Sequence, residues 1–341
     1  MTVVKPPVSR ATHGADPLSD VLRTVKLMGA LFFLVDASFP WGVEVPHTDA
    51  FSSILLPRAQ HVVSYHIILK GSGWATIPNV ASTWFEAGDI LVFAHGDPYA
   101  MLSAPDQPPE FDAAATLDFF QDMASGKLPF VIREGGGGEP RSEFVCGYLG
   151  CDMRPFNPLL STLPRLLRVK RPDTERDDLL GRLIDLTLAE ARRPRVGGES
   201  IRLRLAELIF VEVVRQYLET LPSHETGWLS GLRDPVIGKV LGMLHEEPAH
   251  PWTLNELARR AGMSRAALAA RFAHLIGHAP MQYLTLWRMQ IAARLLAESS
   301  MKVAAVAHEV GYESDAAFSR AFKKIVGVSP AIWRDNAVAS N

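Results

Sequence analysis

The sequence predicts a multidomain α+β protein with a β-rich N-terminal part, a short helical segment and an all-α C-terminal part. Its length of 341 residues is about twice that of a typical single domain. Short apolar stretches separated by Gly, Pro and Asp run from residue 16 to residue 152, and after residue 173 the apolar residues recur at helical spacing. The last hundred or so residues also repeat their own pattern. Together these observations place a small β-domain ahead of two helical regions.

The N-terminal part is rich in short strand-like stretches. Examples are SSILLP, VVSYHIILKG, GWATIP, TWFEAGDILVFAHGD and FVCGYLGC. β-Branched and aromatic residues with turn signals at this spacing are typical of a small sandwich or barrel. We therefore expect one β-barrel domain over residues 13–170.

A helical segment is predicted over residues 173–222. Apolar residues recur at helical spacing in RDDLLGRLIDLTLAEARR and again in SIRLRLAELIFVEVVRQYLETL. The apolar residues of the second stretch cover more than one face of a helix. They are Leu205, Leu208, Ile209, Phe210, Val213, Val214 and Tyr217. Two interpretations stay open: packing against the barrel, or an interface in a homodimer.

Charge and cysteine content narrow the class of protein. The net charge is −2, but residues 231–341 carry 13 Lys and Arg against 9 Asp and Glu. A basic C-terminal part on an acidic body is compatible with a polyanion-binding module. The two cysteines exclude a disulfide scaffold, and the longest apolar run, Leu27 to Val35, is far shorter than a membrane span. We expect a cytoplasmic protein with no membrane partner.

The C-terminal part contains an internal repeat. LARRAGMSRAALAARF, starting at Leu257, resembles VAHEVGYESDAAFSRAF, starting at Val306. Six landmarks lie 50 residues apart, and before the serine the offset is 49 because Glu313 is an extra turn residue. The landmarks are Ser264 and Ser314, Leu268 and Phe318, Phe272 and Phe322, Gly277 and Gly327, Pro280 and Pro330, and Tyr283 and Trp333. The pattern indicates a duplicated supersecondary unit within a domain over residues 231–337.

Each unit has the pattern of a helix-turn-helix. Gly262 or Gly311 ends a first helix, because glycine tolerates the left-handed conformation. Ser264 or Ser314 then caps a second helix through its hydroxyl. The apolar landmarks of that helix face inward, and small or polar residues face outward. The outward residues are Arg265, Ala266, Ala269 and Ala270 in the first unit, and Asp315, Ala316, Ser319 and Arg320 in the second.

The helix between the units has a length suited to DNA. MQYLTLWRMQIAARLLAES is opened by Pro280 at its first turn, and about 19 helical residues span roughly 28 Å. Successive major-groove faces on one side of DNA are ~34 Å apart. One chain would therefore present two recognition helices to adjacent turns.

On these residues the C-terminal part resembles the DNA-binding domain of the AraC/XylS family of bacterial transcription regulators. The matching residues are the two units, Pro280-x-x-Tyr283 with Arg288, and Gly327-x-x-Pro330-x-x-Trp333-Arg334. The resemblance implies seven helices, two helix-turn-helix units, and binding to double-stranded promoter DNA that recruits or blocks RNA polymerase.

The resemblance also implies roles for individual residues. The residues expected to face bases are Arg265, Ala266, Ala269, Asp315, Ala316, Ser319 and Arg320. Arg320 is the best candidate, since a guanidinium pairs bidentately with guanine. Ala270 stands at the equivalent position of the first unit, so either Arg265 and Arg271 compensate or that unit mostly holds phosphates. The residues expected at phosphates are Ser264, Arg271, Ser314, Lys323, Lys324 and Arg334.

The β-rich part resembles the cupin-type sensor domain that precedes the DNA-binding domain in many of these regulators. The carriers are His66-Ile-Ile-Leu-Lys-Gly71, Phe85-Glu-Ala-Gly88-Asp89, Cys146-Gly147, Asn157-Pro158-Leu159-Leu160 and Leu163-Pro164. Many cupins are metalloenzymes, but Ser64 and Tyr99 stand where metal ligands are usual. We expect no metal, no cofactor and no catalytic residue, although His47, His61 and His95 leave an unorthodox metal site open.

A pocket inside the barrel is the predicted site for an effector. Small barrels hold one ligand, and aromatic and polar residues suited to line the pocket are Trp41, Phe51, His66, Trp74, Trp84 and Phe93. The alternative is that these side chains simply fill the core. Cys146 and Cys151 would lie roughly 16 Å apart on opposite faces of an extended strand, so they are either buried thiols or, after a rearrangement, a redox switch.

The combined prediction is a ligand- or redox-sensing, dimeric transcription regulator, most readily an activator. Two alternatives stay open. One is a cupin-type metalloenzyme with an accessory DNA-binding module, and the other is a repressor that responds to no signal.

Overall fold

A computed structural model of the chain describes residues 16–24, 27–151, 155–170, 179–192, 195–222 and 225–339. The chain divides into two compact units. The first, here called the barrel unit, spans residues 25–225. The second, here called the helical unit, combines residues 226–339 with the chain up to Thr24. In the described ranges, no helix is both long and apolar enough to cross a membrane.

Two sheets build the barrel unit. The strands are β1 (Leu27–Phe39), β2 (Gly42–Val45), β3 (His61–Lys70), β4 (Ser72–Thr76), β5 (Thr83–Glu86), β6 (Asp89–Phe93), β7 (Tyr99–Leu102), β8 (Val131–Gly135), β9 (Gly138–Cys151) and β10 (Leu167–Lys170). A six-stranded sheet has the order β10-β6-β3-β9-β1-β8, and a four-stranded sheet has the order β2-β7-β4-β5. Only the β1–β8 pair is parallel among the pairs of these named strands. The predicted β-rich domain is thus observed as a two-sheet barrel.

The barrel core consists of the inward side chains of both sheets. Trp41, Phe51, Phe93, Tyr99 and Tyr148 are almost fully buried in one cluster. Their rings pack closely: Phe93 stacks on Tyr99 with 3.7 Å between ring centroids, and Phe51 lies edge-on to Tyr148 at 5.6 Å. Burial of aromatic rings is the main stabilising contribution of such a core.

Four α-helices lie in the described part of this unit. They are α2 (Ser52–Leu55), α3 (Ala113–Ala124), α4 (Leu179–Arg192) and α5 (Gly198–Thr220). Helix α3 is capped by the Asp112 carboxylate, which accepts a hydrogen bond from the Ala115 amide at 2.9 Å. Helices α4 and α5 pack on each other, and α5 also contacts β1 and β10. Most of the apolar surface of α5 is therefore buried within its own chain.

The helical unit contains eight helices downstream of residue 225. They are α6 (Trp228–Arg233), α7 (Pro235–Glu246), α8 (Leu254–Ala261), α9 (Arg265–Ile276), α10 (Pro280–Glu298), α11 (Val303–Glu309), α12 (Asp315–Val326) and α13 (Pro330–Ala339). Helices α8 and α9 are here called the first helix pair, and α11 and α12 the second. The helix between the pairs, α10, begins at Pro280 and has the expected 19 residues.

The turn within each helix pair is set by a glycine. Gly262 and Gly311 adopt positive φ angles of 70° and 81°. The amide after each glycine bonds back to the preceding helix, Met263 to the Ala258 carbonyl and Tyr312 to the Ala307 carbonyl, both at 2.9 Å. The predicted helix ends are confirmed at both positions.

The two helix pairs share one packing scheme. Leu268 and Phe272 in α9, and Phe318 and Phe322 in α12, are fully buried. The ring of Phe272 lies edge-on to Tyr283 at 5.8 Å, and that of Phe322 lies edge-on to Trp333 at 6.2 Å. The sequence repeat is therefore also a repeat of tertiary contacts.

One element departs from the expected domain boundaries. Helix α1 (Pro17–Thr24) falls in the range 13–170 that the sequence assigns to the barrel domain, but it packs on α7 and α10 of the helical unit. Its inward side chain, Val21, is fully buried. The boundary differs because α1 has an apolar face of its own, and that face finds its partner more than 200 residues along the chain.

Candidate nucleic-acid interface

Capping serines fix the start of both second helices. The Ser264 hydroxyl accepts a hydrogen bond from the Ala267 amide at 3.2 Å, and the Ser314 hydroxyl accepts one from the Ala317 amide at 3.4 Å. Both serines are exposed. Each hydroxyl keeps its own hydrogen as a donor, so capping leaves both residues able to donate to a phosphate.

The outward face of α12 carries exposed and unpaired charge. Asp315, Ala316 and Arg320 are exposed, and Ser319 is half-buried between them and the core. The side chains of Arg320, Lys323 and Lys324 form no hydrogen bond or ion pair with any described residue. A cation that pairs with nothing in its own chain is available to a polyanion.

The outward face of α9 is narrower. Arg265, Ala266 and Ala270 are exposed and Ala269 is half-buried. Arg265 has no charged or hydrogen-bonded partner within the described residues. Three alanines make this face slim enough to approach a groove closely, but they leave Arg265 as the one side chain of the four that can donate to a base.

Arg271 has a structural partner that the sequence did not indicate. Its guanidinium donates to the Asp234 carboxylate from Nε at 3.0 Å and from Nη2 at 2.5 Å. Asp234 also caps α7, accepting from the amides of Val236 and Ile237. Burial raises the pKa of Asp234, but these amides and Arg271 outweigh it and hold the pKa below its usual value. Arg271 thus ties α9 to the start of α7, and its expected phosphate contact stays a prediction.

Arg334 is also committed to the fold. Its Nε donates to the Leu296 carbonyl at 3.3 Å, and its Nη2 donates to the Met301 carbonyl. Arg288 does the same upstream, donating to the Pro248 carbonyl at 2.6 Å and to the His250 carbonyl at 2.9 Å. Arg334 thus bonds to a carbonyl in the last turn of α10, where the helix itself supplies no donor, and to one just beyond it. Its expected phosphate contact stays a prediction.

A chain of buried polar groups, here called the polar relay, lies beneath the first helix pair and was not predicted from the sequence. The Trp228 indole donates to the Tyr283 hydroxyl at 2.8 Å, and that hydroxyl lies 2.8 Å from His245 Nε2. His245 Nδ1 lies 3.6 Å from the Asp20 carboxylate, and the imidazole stacks on Trp287 with ring centroids 4.2 Å apart. The available signal was an isolated histidine on the apolar face of α7.

Four of the six predicted effector residues lie inside the barrel. Trp41, Phe51, His66 and Phe93 belong to its buried interior. Trp74 and Trp84 do not: Trp84 is 40% exposed, and the two indoles pack on each other at 5.4 Å outside the core cluster. The prediction that these two residues line an internal pocket is therefore wrong.

The reason for the correction is the alternation of β4. Gly73 and Ala75 point inward, so Trp74 between them points outward. A Cβ at Gly73 would lie 2.7 Å from the Phe85 ring and 3.0 Å from Trp41. The interior at position 73 therefore accommodates only a glycine.

His66 is the centre of a polar group in the barrel core. Its Nε2 lies 2.8 Å from the Tyr99 hydroxyl and its Nδ1 lies 3.1 Å from Cys146 Sγ. Burial lowers the pKa of His66 to about 3, so the imidazole is neutral at neutral pH. A neutral imidazole with polar neighbours offers hydrogen bonding inside an otherwise apolar interior.

The other histidines near the barrel bond to backbone groups. His61 Nε2 lies 2.6 Å from the Ala94 carbonyl, His95 Nε2 lies 2.7 Å from the Leu163 carbonyl, and His47 Nδ1 accepts from the Asp49 amide at 3.2 Å. Among the described residues, no three His, Cys, Asp or Glu side chains are grouped to hold a metal ion.

Both cysteines lie on β9 as buried thiols that form no disulfide. Burial, and then the nearby charge of Glu134, raise the pKa of the Cys146 thiol well above its usual value. A high pKa keeps the sulfur protonated, and the thiolate is the form that oxidants attack. The environment of Cys146 thus opposes rapid oxidation.

A barrel followed by two capped helix pairs with an exposed basic face defines a class, the helix-turn-helix DNA-binding regulators. Comparison with known proteins identifies the family. Residues 16–219 match the cupin family model, and residues 257–336 match the helix-turn-helix domain model.

Full-length relatives agree with this assignment. An AraC-like transcription regulator of Streptomyces antibioticus is 39% identical over 323 residues, covering 94% of this chain and 98% of the relative. One of Streptomyces lividans is 32% identical over 322 residues, again covering 94% and 98%. Among solved structures, the DNA-binding domain of AdpA in complex with a target DNA is 36% identical, covering 31% of this chain and 95% of that chain with a TM-score of 0.30. The chain belongs to the AraC-like family of transcription regulators.

Proposed function

We propose that this regulator is an activator that reads its promoter mainly through the second helix pair. The observation that carries the proposal is the face of α12, where Arg320 stands exposed between Ala316 and Lys324 and pairs with no described residue. A guanidinium in the major groove donates two hydrogen bonds to one guanine. Arg320 is thus the side chain through which the protein would recognise sequence.

The first helix pair would add a second contact in the neighbouring major groove. The 19 residues of α10 separate the two pairs by roughly 28 Å along its axis, against ~34 Å between groove faces. Its outward face holds only Arg265 among small side chains. We propose that this pair mainly positions the protein on the phosphate backbone, with one arginine directed at bases.

The test is capture of genomic DNA fragments by the purified full chain at near-physiological salt. The wild type should enrich a few upstream regions, with RNA polymerase recruited there in a transcription assay. Arg320→Ala should lose this enrichment, whereas the matched control Lys324→Ala should weaken all fragments alike and reduce the salt slope by about 1. Uniform, salt-sensitive binding by wild type and Arg320→Ala alike would refute the proposal.

We propose further that the barrel senses a small molecule. His66 and Tyr99 provide polar atoms among aromatic walls, the composition expected of a ligand site. A redox signal through Cys146 and Cys151 is less favoured, because burial and the raised pKa of Cys146 keep its thiol protonated.

Thiol labelling separates the two signals. In the native protein both cysteines should react with a thiol reagent far more slowly than in urea, and Cys146→Ser should leave reporter induction by peroxide or hypochlorite unchanged. Fast native labelling together with loss of induction in Cys146→Ser would establish the redox signal instead.

Helices α4 and α5 would mediate dimerisation. Leu179 and Leu186 are seven residues apart on α4, and Ile201 and Leu208 are seven apart on α5. All four are between 43% and 56% exposed, and a groove of about 510 Å³ lies beside Leu186 and Ile201. Apolar residues at heptad spacing on exposed faces are typical of a helix–helix interface between chains.

Sedimentation of the double variant Leu186→Glu with Leu208→Glu tests this interface. The variant should be monomeric at concentrations where the wild type is dimeric. The matched control Val80→Glu changes an exposed apolar residue of the barrel unit outside α4 and α5, and it should remain dimeric. A dimeric double variant would exclude the α4–α5 face.

A further inference from the structure

Helix α1 forms part of the packing beneath the first helix pair. Its Val21 is fully buried against the helical unit, although the helix lies more than 200 residues upstream of α7 in the sequence. Asp16 begins the helix, accepting from the Ser19 amide at 3.2 Å. A capped helix with a buried inward side chain is a built-in element of the unit that contains it.

Asp20 connects α1 to the polar relay. Its carboxylate lies 3.6 Å from Nδ1 of His245, whose side chain is fully buried, and it also pairs with the exposed Arg23. The Trp228 indole donates to the Tyr283 hydroxyl, and that hydroxyl lies 2.8 Å from His245 Nε2. A chain of close polar groups thus runs from Asp20 through His245 and Tyr283 to Trp228.

The relay ends at the recognition side of the unit. Tyr283 packs edge-on against Phe272, the central core residue of α9, with ring centroids 5.8 Å apart. In the second helix pair the corresponding ring, Trp333, donates instead to the backbone carbonyl of Ala293 at 3.0 Å. The first pair thus uses a side-chain relay where the second uses a single backbone bond.

We infer that α1 is a working part of the DNA-binding unit, with Asp20 as a positioning residue that acts through His245 and Tyr283 on the placement of α9. The inference rests on the proposed function for its effect on DNA, but the placement of α9 is measurable without DNA. Burial lowers the pKa of His245 and Asp20 opposes that shift, so His245 is neutral and Asp20 ionised at neutral pH.

The experiment uses the full chain and three variants. Asp20→Asn removes the charge from the relay, Val21→Ala loosens α1, and Arg23→Ala is the matched control because it removes only the exposed partner of Asp20. Three quantities are measured: amide hydrogen exchange in α9 and α10, the imidazole NMR signal of His245, and the affinity for captured operator and for unrelated DNA.

We expect Asp20→Asn to shift the His245 signal and to speed amide exchange in α9 about tenfold, since it removes the carboxylate charge that lies 3.6 Å from the buried His245 Nδ1. Operator affinity should fall about fivefold while affinity for unrelated DNA stays unchanged. Val21→Ala should act in the same direction, and Arg23→Ala should match the wild type.

The outcomes separate this inference from the proposed function. Unchanged α9 exchange in Asp20→Asn and Val21→Ala overturns the inference, even if the His245 signal moves. Faster α9 exchange in a protein whose wild type selects no DNA fragment sustains the placement role of α1 and refutes the proposed function. Faster exchange with unchanged operator affinity shows that α1 holds α9 but overturns its role in DNA recognition.

Discussion

The first and second helix pairs are built alike underneath and differ on their surfaces. Both have a left-handed glycine in the turn, a serine cap and two buried landmarks on the second helix. Outside, α12 presents Arg320 and two free lysines, whereas α9 presents Arg265 among alanines and commits Arg271 to Asp234. Duplication preserves the packing that every copy needs, and leaves the exposed faces free to diverge.

The shared scaffold gives the largest expected effect. Phe322→Ala and Phe272→Ala each remove a fully buried ring, so each should destabilise the helical unit by about 3–5 kcal/mol. Native-state hydrogen exchange of α10 amides measures the loss without assuming that the whole chain unfolds at once. A loss at one position that is less than half the loss at the other would show that the two cores are not equivalent.

The next largest effect is expected on operator affinity, from the exposed faces of α12 and α9. Arg320→Ala should cost about 1–3 kcal/mol of operator affinity and relax the preference at one base pair. Arg265→Ala should cost less and relax the preference at a different base pair about one helical turn away. Binding to operators substituted base by base measures both. A larger loss at Arg265 would reverse the assignment of the main reader.

A smaller effect separates two cations that the sequence treats alike. Arg271→Ala breaks a partly exposed ion pair to a helix cap, so it should cost about 1 kcal/mol of stability and leave the salt slope of DNA binding unchanged. Lys323→Ala should leave stability unchanged and reduce the slope by about 1. Thermal unfolding measures the loss of stability, and salt titrations of DNA binding measure the slope. A reduced salt slope in Arg271→Ala would show that Arg271 contacts a phosphate.

The smallest expected effect is a pH dependence of folding stability that arises at the first helix pair. The pKa of Asp234 is lower folded than its usual 3.8, so its ionised form stabilises the folded state above about pH 4. This stabilisation is lost as the pH falls through the lowered pKa. Asp234→Asn keeps a capping oxygen without a titrating group, so the pH profile of its unfolding should be flatter below pH 4. Identical pH profiles of wild type and Asp234→Asn would show that ionised Asp234 does not stabilise the folded state.

Features set by neighbours in sequence were predictable. The ends at Gly262 and Gly311, the serine caps and the 19 residues of α10 all depend on backbone preferences acting within a few residues. The β-rich character of the N-terminal part followed from composition and turn spacing in the same way. The side of β4 that faces the core could not be predicted in this way. Trp74 is the large apolar residue of the strand, and it points outward because there is little space beside Phe85 and Trp41.

The sequence by itself determined the repeat, the caps and the list of outward residues, since these follow from helix geometry and local hydrogen bonding. Only the tertiary structure decided that α1 packs in the helical unit, that Asp20 faces His245, and that Arg271 and Arg334 bond within the fold. The physical reason is that a long polar side chain has no preferred partner in sequence. Its partner is whichever unsatisfied group the folded chain brings within hydrogen-bonding distance.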